Sequence, residues 1–276
     1  MTDVFYVDGQ FITGQTASIP ISDLGFTRGY GVFDFTRTYH KQPWYLAEHV
    51  ARLLESARAL DLDVPFSAAH IINITGEALA LSTHAECYIR IIITGGDGIT
   101  SLLPAGKPRL VVSITRAVPF LPEKYEQGIK AITIDEPRYL PGVKCLNYIP
   151  AVRAMQRARS ADALEALYVD KIGNVYEGTT SNVFAFIDGA LVTPPLSGVL
   201  RGITRDIVMD LARAFFPVRE EALQVDSLYR ADEIFLTSTT MQIMPVTRAD
   251  DLLVRDGKPG DNTRKLMACF EALVEK

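Results

Sequence analysis

The hydrophobic pattern predicts a mixed α/β (α+β) protein in two parts. Short β-branched runs bounded by turn residues alternate with stretches whose apolar residues recur at helical spacing. The stretch 47–60 shows this best, with Val50, Leu53, Leu54, Ala57 and Leu60 on one stripe. Midway, Pro119-Phe120-Leu121-Pro122 breaks the pattern, as a connection between domains does. The expected division is a first domain over 1–118, a linker over 119–124 and a second domain over 125–276.

The first part opens at 4–12 with Asp8-Gly9 between apolar runs, a hairpin signal. Runs at 33–39 and 44–46 flank a turn at His40-Lys41-Gln42-Pro43. The helix over 47–60 follows, and Ser67 is placed to cap another that runs towards Leu81. The stretches 87–94 and 110–116 read as strands. In the second part, strands are expected at 129–135, 166–170, 183–187, 191–193 and 233–239, with helical periodicity at 148–159 and 262–274. Lys171-Ile172-Gly173-Asn174 and Asp188-Gly189 supply tight turns. Thr204 is positioned to cap a helix with Ile207, Val208, Leu211 and Phe215 on its apolar face.

Composition removes several classes of function. The chain has 276 residues, 48% of them hydrophobic and 22% charged, with a net charge of −5 from 28 basic and 33 acidic residues. That is ordinary for a globular protein, with no basic run to meet nucleic acid. No apolar run is long enough for a membrane span and no secretory leader is read, so a cytoplasmic enzyme is expected. Three scattered cysteines make no disulfide framework. His84 and Cys87 are three apart with nothing to complete a metal site, and His40, His49 and His70 are isolated. Gly95-Gly96-Asp97-Gly98 is too short for a dinucleotide fingerprint.

Four segments hold the candidate chemistry, in this order: Lys144-Cys145-Leu146-Asn147-Tyr148, Tyr176-Glu177-Gly178-Thr179-Thr180-Ser181-Asn182, Leu200-Arg201-Gly202-Ile203-Thr204-Arg205 and Thr237-Ser238-Thr239-Thr240. They supply an amine, a carboxylate, a helix start and a hydroxyl cluster. A pyridoxal 5'-phosphate (PLP) enzyme needs that set: a lysine to attach to the aldehyde and move the α-proton, a carboxylate to keep the pyridine nitrogen protonated, and N–H and hydroxyl groups for the phosphate. Arg52 adds a guanidinium suited to two phosphate oxygens. Taken singly, Lys144 also reads as a solvated loop lysine, Glu177 as a turn glutamate, Ile203-Thr204 as an ordinary helix start and Arg52 as a solvent-facing arginine.

The ordered set resembles the fold-type IV PLP enzymes, namely branched-chain aminotransferases, D-amino acid aminotransferases and aminodeoxychorismate lyases. The resemblance runs from Arg28-Gly29-Tyr30-Gly31-Val32-Phe33 through Glu48-His49-Val50-Ala51-Arg52-Leu53 to Pro245-Val246. It implies that Lys144 carries the cofactor, that Arg52, Ile203, Thr204 and Thr239 or Thr240 hold its phosphate, and that Glu177 meets the pyridine nitrogen. It further implies Tyr148 near the ring oxygen and Leu200 packed on the ring. The implied fold is a small N-terminal α/β domain and a larger β-rich C-terminal domain with the cofactor between them. The implied partners are amino acids and 2-oxo acids, and the implied assembly is a homodimer with shared active sites.

For the substrate carboxylate the sequence offers Arg28, Arg37 and Arg90, with Phe33 and Tyr88 beside them in sequence. Tyr88-Ile89-Arg90 and Arg37 resemble branched-chain aminotransferases, whereas Arg28 departs from them. The loop 95–106 lacks the Arg-x-His tripeptide of well-studied D-amino acid aminotransferases. A less typical D-amino acid group carries arginines matching Arg28 and Arg90, so D-amino acid transamination is the expected activity. A branched-chain L-amino acid aminotransferase is the alternative. A lyase, or a non-catalytic metabolite-binding homologue on the same fold, stands behind both.

Overall fold

The computed structural model describes residues 2–14, 17–136 and 138–275. They group into two compact units: Met1–Val118 with Val143–Asn147, and Pro119–Gly142 with Tyr148–Lys276. Among the described residues, no helix is long and apolar enough to cross a membrane.

The first unit is built on an antiparallel sheet of six strands, in the order Gln10–Thr13, Val4–Val7, Arg109–Arg116, Cys87–Thr94, Gly31–Tyr39 and Gln42–Pro43. Strand side chains alternate between faces, and the two faces differ in kind. Val32, Ile89, Ile91, Ile93 and Ile114 are buried with Val50, Leu53, Ala57 and Ile71 of the helices Leu46–Ala59 and Ala68–Ala80. The opposite face carries Phe33, Phe35 and Arg37, with Arg90 and Tyr88 registered against Phe35 and Arg37. Ser67 caps the second helix by accepting from His70 N, as the sequence predicts.

The hairpin after Tyr39 is tighter than expected. His40 and Lys41 both take left-handed conformations, so Tyr39 pairs directly with Gln42. The run 44–46 is consequently not a strand: Trp44 N bonds to Arg37 O, and the helix begins at Leu46. The segment 119–124 is not a bare tether either. Phe120 packs against the second unit's core, and Pro122 opens the helix Pro122–Gln127. Conversely, Val143–Asn147, expected in the second domain, groups with the first unit because its backbone pairs there.

The second unit holds a sheet of ten strands whose pairing closes on itself. Asn182–Ile187 pairs with Glu233–Ser238, then Gln242–Ala249, Ile129–Asp135, Glu165–Val169 and Asn174–Gly178, which returns to the first strand through Asn182 and Glu177. Glu177 therefore sits at the closure of the ring. Leu167, Val183, Leu236 and Met244 are among the core residues, and Phe184 stacks on Phe235 at 5.0 Å. The helix Ile203–Arg213 is capped by Gly202 and not by Thr204, with Thr204 one residue inside it. An added Cβ at Gly202 would lie 2.0 Å from Asn182 Oδ1, so no larger residue fits there unchanged. Phe215 falls beyond the helix end and is exposed; Met209 and Ala212 complete the buried face instead.

Candidate active site

In the first unit, Lys144 is fixed by its backbone. Phe33 N donates to Lys144 O at 2.9 Å and Leu146 N donates to Gly31 O at 2.9 Å. The segment thus pairs with the start of the strand Gly31–Tyr39, bridging at Val32 and Cys145. Lys144 N also donates to Ser56 Oγ, 3.2 Å away on the helix Leu46–Ala59. The half-buried side chain places Nζ 4.7 Å from the centre of the Phe33 ring. Gly31 permits this close approach. A Cβ there would lie 2.7 Å from Ile93 O and 2.7 Å from Leu146 Cδ1.

Arg52 and His49 lie earlier on the same helix, on the turns before Ser56. Arg52 donates to both oxygens of the fully buried Asp34, from Nε at 2.9 Å and from Nη2 at 2.8 Å. His49 Nδ1 is 2.6 Å from Asp34 Oδ1. Burial alone would push the Asp34 carboxyl up, but the Arg52 charge and the His49 and Arg52 hydrogen bonds hold it well below the usual carboxylate range. For His49 the balance goes the other way. Burial pushes its pKa down past the opposing pull of Asp34, and the charges of Arg52 and Lys144 add to the fall. The imidazole is neutral at pH 7, so Nδ1–H donates to the carboxylate.

The candidate substrate side chains divide. Phe33, Phe35, Arg37, Tyr88 and Arg90 share the sheet face away from the helices. Arg90 is exposed, its guanidinium 5.8 Å from the Phe33 ring centre and 5.3 Å from that of Phe35. Arg37 is buried, 4.4 Å over Tyr39 and 5.9 Å from Tyr88. Arg28 instead ends the short helix Leu24–Arg28, exposed, and donates to Ser101 O and Thr27 O.

In the second unit, Glu177 is buried. Its Oε2 accepts from Leu200 N at 3.1 Å and Asn182 Nδ2 at 3.2 Å, and Asn182 also donates to Leu200 O at 2.9 Å. The carboxylate, the amide and the Leu200 backbone form one braced group. Its Oε1 takes the Arg138 guanidinium, a partner that nothing in the sequence pattern signalled. Burial tends to lower the pKa of Arg138, but Glu177 raises it, with smaller contributions from Tyr148 and Tyr168. Tyr148, half-buried, caps the helix Ile149–Ser160 with its backbone and makes no side-chain cap bond.

Behind Glu177 stands a second missed residue, Glu165. It is fully buried, and six donors converge on it: Ala166 N, both N–H and hydroxyl of Thr179 and of Thr180, and Ser181 Oγ. That saturation shapes the turn linking Glu177 to Asn182. Further along, the half-buried Thr239 and Thr240 follow the strand Glu233–Ser238, and Thr240 is 3.3 Å from Ser238 Oγ. Thr237 Oγ1 is buried without a hydrogen-bond partner among the described residues.

Residues 31–249 match the family described as amino-transferase class IV, and the chain belongs to that family. A putative branched-chain-amino-acid aminotransferase of Methanocaldococcus jannaschii is 36% identical over 280 residues, which is 98% of this chain and 96% of the relative. A D-alanine aminotransferase of Staphylococcus epidermidis is 32% identical over 281 residues, 100% of this chain and 99% of the relative. Among solved structures, the Escherichia coli branched-chain amino acid aminotransferase has a TM-score of 0.93 at 30% identity, covering 99% of this chain and 95% of that one. A second branched-chain amino acid aminotransferase, solved with pyridoxamine 5'-phosphate, also gives 0.93, at 28% identity over 99% of this chain and 94% of that one. The fold is therefore fold-type IV, and the protein is a PLP-dependent transaminase.

Each unit carries groups whose chemistry fits that cofactor: an amine at Lys144 in the first, and in the second a buried carboxylate at Glu177, a buried hydroxyl at Thr237 without a hydrogen-bond partner among the described residues and a helix start without a side-chain cap at Ile203.

The close approach at Gly31 and the burial of His49 can both be read in unfolding experiments. Gly31→Ala forces Cβ against Ile93 and Leu146 and should cost about 1–3 kcal/mol, as overpacking does; urea unfolding of the variant measures it, and an unchanged midpoint contradicts the close approach. The lowered pKa of His49 means the unfolded chain binds its proton first as pH falls. Stability is then complete above the unfolded-state value, 6.5, and declines below it by up to about 1.4 kcal/mol per pH unit. Thermal unfolding scanned from about pH 8 to about pH 5 should show that decline, and His49→Gln should flatten it.

Proposed function

We propose that the enzyme transfers the amino group between a D-amino acid, such as D-alanine or D-glutamate, and a 2-oxo acid. The observation that carries an amino-acid substrate is the Phe33 ring. Lys144 Nζ and the Arg90 guanidinium flank it at 4.7 and 5.8 Å, so a cation for the α-carboxylate stands near the amine that would work at the α-carbon. The D-configuration is supported by the combination of Arg28 with Arg90 and by the likeness to D-alanine aminotransferases.

Bound PLP supplies an aldehyde for the substrate amine and a ring that withdraws electrons from the α-carbon. The chain's residues do the rest in this reading. Lys144 holds the cofactor at rest, then takes the proton from the substrate α-carbon and delivers it as the amino group changes hands. Glu177, braced by Asn182 and the Leu200 backbone, keeps a proton on the pyridine nitrogen. Arg52, the N–H groups at Ile203 and Thr204, and the hydroxyls of Thr239 and Thr240 hold the phosphate. Leu200 packs on the ring and Tyr148 lies near its oxygen. Arg90 and Arg28 take carboxylates, with Arg37, Phe33 and Tyr88 shaping the wall. The exposed apolar side chains Ile21, Phe26, Ile99, Leu102 and Leu103 support a homodimer that shares its active sites.

The alternative substrate is a branched-chain L-amino acid. Arg37 and Tyr88-Ile89-Arg90 favour it, as does the 36% identity to a putative branched-chain enzyme.

Purified holoenzyme mixed with one amino acid and no oxo acid separates the two readings. D-alanine should bleach the yellow cofactor band and pass its amine to 2-oxoglutarate, and L-leucine should do so far more slowly. The reverse order would replace the D-amino acid reading with the branched-chain one. Lys144→Ala should cut turnover by at least about 10²-fold, the scale of a lost general base, while still binding cofactor non-covalently. Turnover at the parental rate in a steady-state assay would remove Lys144 from this role.

A further inference from the structure

We infer that Asp34 and His49 are positioning residues for Arg52, holding its guanidinium ready for the cofactor phosphate. The inference rests on the reading of Arg52 as a phosphate ligand, and it adds how that ligand is held. An arginine side chain has about 2 kcal/mol of rotamer entropy to lose when it binds. An arginine already clamped in its working plane gives up less of it on meeting the ligand.

The clamp is visible. Four donors converge on the Asp34 carboxylate: Phe35 N at 2.7 Å, His49 Nδ1 at 2.6 Å, Arg52 Nε at 2.9 Å and Arg52 Nη2 at 2.8 Å. The two Arg52 bonds reach different oxygens and make a fork, which fixes the plane of the guanidinium as well as its position. Phe35 N and His49 fix the carboxylate in turn. Asp34 shows no exposure and His49 almost none, so neither side chain meets water and both belong to the interior.

Charge points the same way. A buried carboxylate without a partner is costly, and Arg52 compensates it. His49 stays neutral, so it steadies Asp34 without adding a second cation that would compete with Arg52 for it. The side chain is a donor to Asp34 here. The clamp is also tied to Lys144, since His49 and Arg52 share one helix with Ser56, which holds the Lys144 N–H.

The test titrates the full-length protein, stripped of cofactor, with PLP and separately with pyridoxal, which lacks the phosphate. Absorbance of the bound cofactor gives each dissociation constant. Asp34→Asn presents an amide N–H where Arg52 needs an acceptor. It should weaken PLP about tenfold, the scale of one hydrogen bond to a charged group, and leave pyridoxal unchanged. Arg52→Ala should show the same selective loss, and adding Asp34→Asn to it should weaken PLP no further. Parental PLP affinity in Asp34→Asn, equal weakening of both ligands, or a full additional loss in the double variant would each overturn the inference while leaving Arg52 as a phosphate ligand. Parental PLP affinity in Arg52→Ala would instead overturn the phosphate reading of Arg52, and the inference with it. Should Asp34→Asn not fold, His49→Leu decides: a selective loss of about threefold is expected, and unchanged PLP affinity contradicts it.

Discussion

The pairing of residues 143–147 with the strand Gly31–Tyr39 is the constraint on which the proposed chemistry depends. A lysine has a long flexible stem, and a reactive amine is only as well placed as its Cα. Here two backbone hydrogen bonds, Phe33 N to Lys144 O and Leu146 N to Gly31 O, set that position, and Ser56 Oγ takes the remaining Lys144 N–H. Because Ser56 lies on the helix that also presents His49 and Arg52, one strand and one helix place the amine, the candidate phosphate ligand and the carboxylate that clamps it. Phe33, whose N–H anchors Lys144, also offers its ring to Lys144 Nζ and to Arg90.

Three of the buried carboxylates, Asp34, Glu165 and Glu177, divide the electrostatic work around the candidate site residues. Asp34 and Glu165 are saturated by hydrogen bonds and act as organisers, one for Arg52 and one for the turn after Glu177. Burying a charged group is unfavourable unless it is paired or hydrogen-bonded, and both sites meet that demand completely. Glu177 is braced differently. A cation, an amide and a backbone N–H converge on it at the point where the second unit's sheet closes. A carboxylate held on all sides keeps its direction, as the role proposed for it beside the pyridine nitrogen requires.

Much of this is legible in the sequence where the signal is local. The helix over 47–60 and the Ser67 cap follow from spacing and from one hydroxyl. The order of the Lys144, Glu177, Ile203-Thr204 and Thr239-Thr240 motifs points to the family without any coordinate. What escapes is non-local. Arg138 looks like any loop arginine until it meets Glu177, thirty-nine residues on. His49 reads as isolated because Asp34, its partner, is fifteen residues away on a strand. Glu165 sits in a strand whose every residue is buried, and a charged residue there argues against burial until its six donors are seen. The strand Gln242–Ala249 escapes for another reason: Pro245 sits inside it opposite Phe235, where a proline usually counts against a strand. The helix Leu24–Arg28 is a single turn and too short to show periodicity.

The central claim, that the amine pinned beside Phe33 carries the cofactor, is tested most directly by chemistry on the whole holoenzyme. Borohydride reduction would make the cofactor attachment permanent, and peptide mass spectrometry would then locate it. A pyridoxyl phosphate mass on the peptide containing Lys144 is the predicted result. The same mass on another lysine, or none on any, would contradict the account.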